Sequence, residues 1–298
     1  MAKDWEFTSY TKTYHREQYP AIDPKNPANS AKGKVVVVTG GGSGVGFGIA
    51  NAFVEAGAKA VAILGRRKDV LEDAKGKLEA AGSSKILTFP ADVSDEEALN
   101  DAFASVKAEV GPVDVAVANA AYVPWGALLT VDVNDWWKGF EVNLKGTLLT
   151  YRAFEANRSS ASPTFISINT GFGHMGPVPG VSSYGISKLG TMQLVSWLAK
   201  ENPEVRAVSY HPGVIATSQQ AQDSAKAIGL SNDDMSLPAG FAVWLTTPRA
   251  DFTNGRMWWA HWDVEELEAV KDQILKEDIF VPHLKAFPDQ TFAISSIG

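Results

Sequence analysis

A strand-like run, Val35-Val36-Val37-Val38-Thr39, passes directly into Gly40-Gly41-Gly42-Ser43-Gly44-Val45-Gly46, and this junction limits the possible folds more than any other stretch of the chain. Short β-branched runs like the first one alternate downstream with longer helical patterns. The sequence predicts strands near 35–39, 60–64, 86–89, 114–118, 164–169, 205–210 and 256–260. Strands that alternate with helices imply repeated βαβ units, hence an α/β, doubly wound parallel sheet of about seven strands with helices on both faces. Ser94-Asp95-Glu96-Glu97 reads as a capping box, Asn134 as a second helix cap and Asp263-Val264-Glu265-Glu266 as a third.

Residues 1–33 have little periodicity. They carry Trp5, Phe7, Tyr10, Tyr14 and Tyr19, then Pro20, Pro24 and Pro27, and read as an N-terminal extension strapped onto the surface of a domain spanning 34–298. No composition break or internal repeat divides that domain, so one domain is expected. The 298 residues are 45% hydrophobic, enough for a full core. A net charge of −7 without a long Lys/Arg run argues against nucleic-acid or anionic-membrane partners. The absence of cysteine excludes disulfides, thiolate metal sites and a Cys nucleophile. No apolar run approaches the ~18 residues of a membrane helix. A cytoplasmic protein without a metal is expected.

The glycine stretch lies between a strand and a predicted helix, Phe47 to Ala56, which turns a glycine pattern into a phosphate site. Glycines let the backbone approach a pyrophosphate, whose charge is favoured by free N–H groups and the positive end of the helix dipole. At the end of the second strand, Gly65-Arg66-Arg67 stands where an NAD site would place an acidic residue for the ribose 2′-hydroxyl. Arg66 can instead pair a 2′-phosphate through its planar fork, with Ser43 adding a hydrogen bond, so NADP(H) is the expected cofactor. Far downstream, Tyr184 and Lys188 stand four apart in Ser-Tyr-Gly-Ile-Ser-Lys, on one face of a helix. The ammonium is expected to favour the phenolate and lower a pKa that starts near ~10.

The spacing Thr39-Gly40-x-x-x-Gly44-x-Gly46 together with Tyr184-x-x-x-Lys188 resembles the short-chain dehydrogenase/reductase family, from about Gly33 to Trp262. The resemblance implies a Rossmann-type fold and an NADP(H)-dependent oxidoreductase. In it, Gly40, Gly42, Ser43, Gly44, Val45 and Gly46 hold phosphates, and Asp92-Val93 resembles the adenine contact. Asn119-Ala120 resembles the turn after the fourth strand, and Pro212-Gly213-Val214 with Thr217 the segment that holds the nicotinamide carboxamide and pyrophosphate. Tyr184 is implied as general acid and Lys188 as a ribose ligand, with Asn143 holding a water in a proton relay. Tyr19-Pro20-Ala21-Ile22-Asp23-Pro24 and Trp259-Ala260-His261-Trp262-Asp263-Val264 further resemble a fungal branch, which suggests secondary metabolism.

Two positions depart from the family pattern. A serine usually follows the fifth strand to polarise the carbonyl, whereas this chain reads Ser167-Ile168-Asn169-Thr170-Gly171. Register favours Thr170, with Asn169 as the alternative donor. The usual Asn-Asn-Ala-Gly turn reads Ala118-Asn119-Ala120-Ala121, which could reshape the cofactor floor. Trp125, Phe172, Met175, Ile228 and Met235 suit a lipophilic or aromatic ketone or aldehyde, and His174 is read as structural rather than as a substrate contact. A dehydratase or cyclase, or a catalytically silent dinucleotide-binding protein, is the alternative on the same fold. Leu148, Leu149, Met192 and Trp197 are expected to form the contact of a homodimer or homotetramer.

Overall fold

The structure, a computed structural model, describes residues 9–216 and 231–282. Val35 to Val38 are all buried, with Val36 and Val38 in one hydrophobic cluster and Val35 and Val37 in another. Successive side chains of a strand point to opposite faces, so an unbroken valine run requires cover on both sides. The same division recurs on the next strand, where Val61 and Ile63 join the first cluster and Ala60, Ala62 and Leu64 the second.

Seven parallel strands form one sheet: β1 (Val35–Thr39), β2 (Ala60–Gly65), β3 (Lys85–Pro90), β4 (Val115–Ala118), β5 (Thr164–Ile168), β6 (Arg206–His211) and β7 (Met257–Trp259). Their order is β3-β2-β1-β4-β5-β6-β7. The chain therefore builds outward from β1 in one direction, then returns across it to build in the other. That reversal leaves a crevice beyond the carboxyl ends of β1 and β4, where ligands of open α/β sheets bind.

Helices α1 (Gly44–Glu55), α2 (Lys68–Ala81) and, later, Ser236–Trp244 cover the first cluster with Ile49, Phe53, Leu71, Phe241 and Trp244. Helices α3 (Glu96–Val110), α5 (Gly146–Asn157) and α6 (Ser182–Glu201) cover the second with Phe103, Phe154 and Val195. Each fully buried Phe contributes about 1.5–3 kcal/mol of transfer free energy. Helix α4 (Val133–Phe140) runs through a π-helical turn at Glu141–Lys145 into α5. We label Ser236–Trp244 α7, and the last two helices α8 (Val264–Ala269) and α9 (Lys271–Lys276).

Asp263 caps α8 by accepting from the Glu266 N–H at 2.9 Å, as the sequence suggests. The other two caps differ. Asp95, not Ser94, accepts from Ala98 N–H at 3.1 Å, and Asp132, not Asn134, accepts from Asp135 N–H at 2.9 Å. In both cases a carboxylate three residues before the free N–H outcompetes the neighbouring polar side chain.

The described part of the N-terminal extension does more than lie on the surface. Ile22, in a short 3₁₀ turn (Pro20–Ile22), is fully buried in the core cluster that contains α7. Tyr14 pairs with Trp262 in an antiparallel bridge, and the Tyr19 hydroxyl accepts from Val264 N–H at 2.8 Å. Asn29, also fully buried, donates to the carbonyls of Ala21 (3.0 Å) and Asp23 (2.9 Å). Described residues of the extension thus tie the sheet's β7 side to its helices.

Candidate active site

The glycine loop leaves β1 and enters α1 in the crevice. Gly44 has φ +56°, a left-handed conformation that a side chain would strain. At Gly46 a β-carbon would lie 2.5 Å from the Gly40 carbonyl oxygen, so only glycine allows the loop to close on itself. Among the described residues no side chain caps the start of α1, and its first turn carries no acidic residue. The exposed Ser43 side chain and the helix N–H groups are left to face an anion.

Asn119, just beyond β4, braces this loop from the other side of the crevice. Its backbone N–H donates to Thr39 Oγ1 (3.0 Å) and its Nδ2 to the Thr39 carbonyl (2.9 Å), while Ala120 N–H shares Thr39 Oγ1 (3.2 Å). The altered turn is thus anchored to the end of β1 by both its backbone and its side chain.

A cavity of about 340 Å³ opens here, lined among others by Gly40, Gly42, Ser43, Arg66, Asp92, Val93, Asn119 and Ala120. It also includes Arg67, Tyr122 and Val142, so the glycine loop, the arginine pair and the predicted adenine contact share one space. Arg66 is exposed at its rim. Burial would raise the Asp92 carboxyl pKa, but hydrogen bonds from Ser94 N–H (2.9 Å) and Ser94 Oγ (2.7 Å), with the nearby Arg66 charge, hold it below the usual range.

Helix α6 brings the remaining groups to the ends of β5 and β6. Lys188, 2% exposed, donates from Nζ to the Ile168 carbonyl at 2.6 Å and lies 5.9 Å from the Tyr184 ring centre. Burial lowers its pKa to about 8. Tyr184 is only partly exposed, and loss of water around its phenol raises its pKa to about 12, against a hydrogen bond with Thr170 that pulls the other way. The sequence reading has Lys188 bringing the phenol down. In the folded chain, desolvation of both groups is the larger effect.

The two candidate donors, Thr170 and Asn169, make different hydrogen bonds. Asn169 donates from Nδ2 to the Lys188 carbonyl (3.2 Å) and accepts from Thr170 N–H (2.8 Å), so its amide fixes backbone. Thr170 Oγ1 accepts from Phe172 N–H (3.3 Å) and meets Tyr184.

Asn143 lies fully buried in the π-helical turn. Its Oδ1 accepts from Tyr122 N–H (2.8 Å), and its Nδ2 donates to the Tyr122 carbonyl (2.9 Å) and Ser187 Oγ (3.0 Å). Its carbonyl accepts from Thr147 Oγ1 at 2.6 Å. The side chain clamps the Tyr122 backbone to α6.

The β5–β6 register pairs Ile168 with Tyr210, which sets Asn169 and Thr170 beside His211 and Pro212. Gly213 follows with φ +97°, and Val214 N–H donates to Asp233 Oδ2 at 2.8 Å. Thr217 and Ile228 lie outside the described residues. The Met235 side chain packs at Gly48 of α1, where a β-carbon would lie 2.7 Å from it. His174 is held at both nitrogens, Nδ1 donating to the Gly171 carbonyl (2.8 Å) and Nε2 accepting from Trp259 Nε1–H (3.1 Å), and burial lowers its pKa.

Sequence reasoning missed Ser187, Asp233 and His261. Ser187 lies in the Tyr-x-x-x-Lys motif but is assigned no task there. Asp233 sits 19 residues beyond Val214, with no local pattern to connect them. His261 is a polar residue within the aromatic stretch Trp258-Trp259-Ala260-His261-Trp262, and that placement is the one available signal. Among the described residues no helix is long and apolar enough to cross a membrane, and no group of His, Cys, Asp or Glu could hold a metal ion.

A glycine-loop crevice at the reversal of a parallel sheet, with a Tyr/Lys/Thr cluster beside it, defines a dinucleotide-binding Rossmann-type protein. The family described as short chain dehydrogenase matches residues 34–227. A short chain dehydrogenase/reductase, AacuD, from Aspergillus aculeatus is 35% identical over 288 residues, covering 94% of this chain and 98% of its own length. A relative of the same description from Claviceps purpurea is 37% identical over 280 residues, covering 91% and 92%. The crystal structure of a short-chain type dehydrogenase/reductase from Mycobacterium marinum superposes with a TM-score of 0.71 at 26% identity, covering 78% of this chain and 95% of its own. The chain belongs to the short-chain dehydrogenase/reductase family of oxidoreductases and resembles its fungal members, a family that binds nicotinamide dinucleotides.

Proposed function

We propose that this protein is an NADP(H)-dependent carbonyl reductase acting on a lipophilic or aromatic ketone or aldehyde, with the alcohol as product or, in reverse, as substrate. The observation that carries this reading is the meeting of Thr170, Tyr184 and Lys188 at the end of β5, next to the glycine-loop crevice. Gly40, Gly42, Ser43, Gly44, Val45 and Gly46 would hold the phosphates, Asp92 and Val93 the adenine, and Pro212, Gly213 and Val214 the nicotinamide end. Their fit to a dinucleotide is supported by the cavity joining the loop to Asp92 and Arg66, and by the uncapped start of α1. When bound, the cofactor supplies a hydride for the carbonyl carbon.

The chain's own residues manage the oxygen. Thr170 Oγ1 directs its hydrogen bond toward it, and the Tyr184 hydroxyl gives up its proton as the oxygen gains negative charge. A phenol at about 12 holds its proton at neutral pH, and the Lys188 ammonium, at about 8, stays charged there and favours the phenolate left behind. Asn143 and Ser187 keep α6 in register with Tyr122, so the phenol is presented at a fixed position. Apolar Phe172 and Met175 on the β5–α6 connection, with Trp125 nearby at Gly180, support a lipophilic substrate.

Arg66 supports the 2′-phosphate form of the cofactor. NADPH is expected to bind more tightly than NADH by about 1.5–3 kcal/mol, the worth of a charge-assisted pair, and Arg66→Ala should erase that preference. Titration of both cofactors by fluorescence checks this, and equal affinities would reject the assignment. With a panel of carbonyl compounds, the protein is expected to oxidise NADPH in equal amount to alcohol formed. Tyr184→Phe should lower turnover at least ~10²-fold with cofactor affinity little changed.

A further inference from the structure

Asp233 is 3% exposed, and four groups engage it. Its Oδ2 accepts from Val214 N–H (2.8 Å) and His261 Nε2 (2.9 Å), its Oδ1 accepts from Arg16 Nη1 (2.9 Å), and its own N–H donates to the Val214 carbonyl (2.9 Å). Ala216 N–H adds a neighbouring rung to Asn232 Oδ1 at 2.7 Å. At Gly213 a β-carbon would lie 2.8 Å from Asp233 Oδ2 and 3.2 Å from His261 Nε2, so this turn is built around the carboxylate. Tyr14 stacks on His261 with ring centres 4.6 Å apart, and the Arg16 guanidinium lies 5.4 Å over Tyr14.

A buried carboxylate is costly unless it is paired and hydrogen-bonded, and here the pairing also places a particular backbone N–H. The family match ends at residue 227 and begins at 34, so Arg16, Asp233 and His261 all lie outside it, while the turn they hold lies inside. We propose that Asp233, held by Arg16 of the N-terminal extension and by His261 after β7, is a positioning residue that sets the Gly213–Val214 turn against the nicotinamide end of the cofactor. The extension is then a working part of the dinucleotide site. This inference rests on the dinucleotide reading above.

The test compares two ligands on the full-length protein: NADPH, which reaches the nicotinamide end, and adenosine 2′,5′-bisphosphate, which does not. Asp233→Asn should weaken NADPH about tenfold while bisphosphate affinity stays within about twofold. Arg16→Met should shift NADPH the same way by a smaller factor, Arg16→Lys should recover part of it, and the double variant should be no worse than Asp233→Asn alone. His15→Gln, a change in the same extension that removes a 2.8 Å contact to Asp263 at the start of α8, should lower the melting temperature without changing either affinity.

Unchanged NADPH affinity in Asp233→Asn overturns the inference, as does parallel loss of both ligands or an equal NADPH loss in His15→Gln. If Asp233→Asn does not fold, the half-exposed Arg16 carries the test. Selective NADPH loss in Arg16→Met then supports the inference and its absence overturns it. A parent that binds neither ligand overturns the dinucleotide reading itself, and the inference with it.

Discussion

Lys188 and Tyr184 are each driven by burial toward the uncharged form, and this makes stability depend on pH in a specific direction. The lysine pKa falls from 10.5 to about 8 on folding, so between those values the unfolded chain binds more protons and stability rises with pH. The contribution is fully present above about 10.5 and lost as pH falls through about 8. For the tyrosine, raised from 10.0 to about 12, the unfolded chain ionises first, and stability falls with pH through that window. Relative to Lys188→Met, the parent is expected to gain about 1.4 kcal/mol per pH unit between pH 8 and 10 in urea titrations. A flat difference would show that the ammonium is not buried as described. Thr170→Ser should retain most activity and Thr170→Val should lose it, because only the hydroxyl reaches Tyr184. Activity in Thr170→Val together with its loss in Asn169→Ala would reverse the assignment.

At the scale of elements, the strands were legible because each is a short apolar run bounded by breaks in pattern, and β1 appears at Val35–Thr39 as read. The glycine loop was legible for a related reason: glycine is informative where a side chain cannot fit. The π-helical turn was not, since nothing in Glu141-Val142-Asn143-Leu144-Lys145 departs from an ordinary helix pattern. Its cause is tertiary, in the Asn143 contacts to Tyr122 and Ser187. Helix caps were misplaced by one or two residues because Ser94 and Asn134 each have an aspartate close by that serves the same purpose. The Asp233 network was invisible because its members are scattered from residue 16 to residue 261. The loop also yields a prediction. Gly46→Ala places a methyl against the Gly40 carbonyl and the Asn119 amide, so it should abolish NADPH binding by opening the loop. Far-ultraviolet circular dichroism should remain that of the parent, and retained NADPH affinity would show that the loop has slack the structure lacks.

The whole molecule leaves a set of large apolar side chains uncovered on adjacent helices. Ile186 (50% exposed), Leu189 (43%) and Trp197 (57%) lie on α6, and Leu148 (38%) on α5. The spacing from 186 to 189 and to 197 is close to one and three helical turns, so the α6 members share a stripe. Leu149 and Met192, expected from the sequence to join this surface, are instead 5% and 2% exposed and point into the protein. The reason is helical phase: each lies a residue or more out of step with the exposed stripe. We propose that this stripe is the face on which the chain forms a homodimer or homotetramer, since a two-fold axis lets one apolar stripe cover its own copy. Tyr184 and Lys188, the proposed catalytic pair, project from the same helix, so burial of its outer face would also hold the inner face still. Trp197→Glu combined with Ile186→Glu puts charge into that contact, and sedimentation at micromolar concentration should show the species shifting to monomer. Turnover should fall with dissociation and return at higher protein concentration. A parent that sediments as a monomer at every concentration, with full activity, would reject the assembly and leave the stripe as surface.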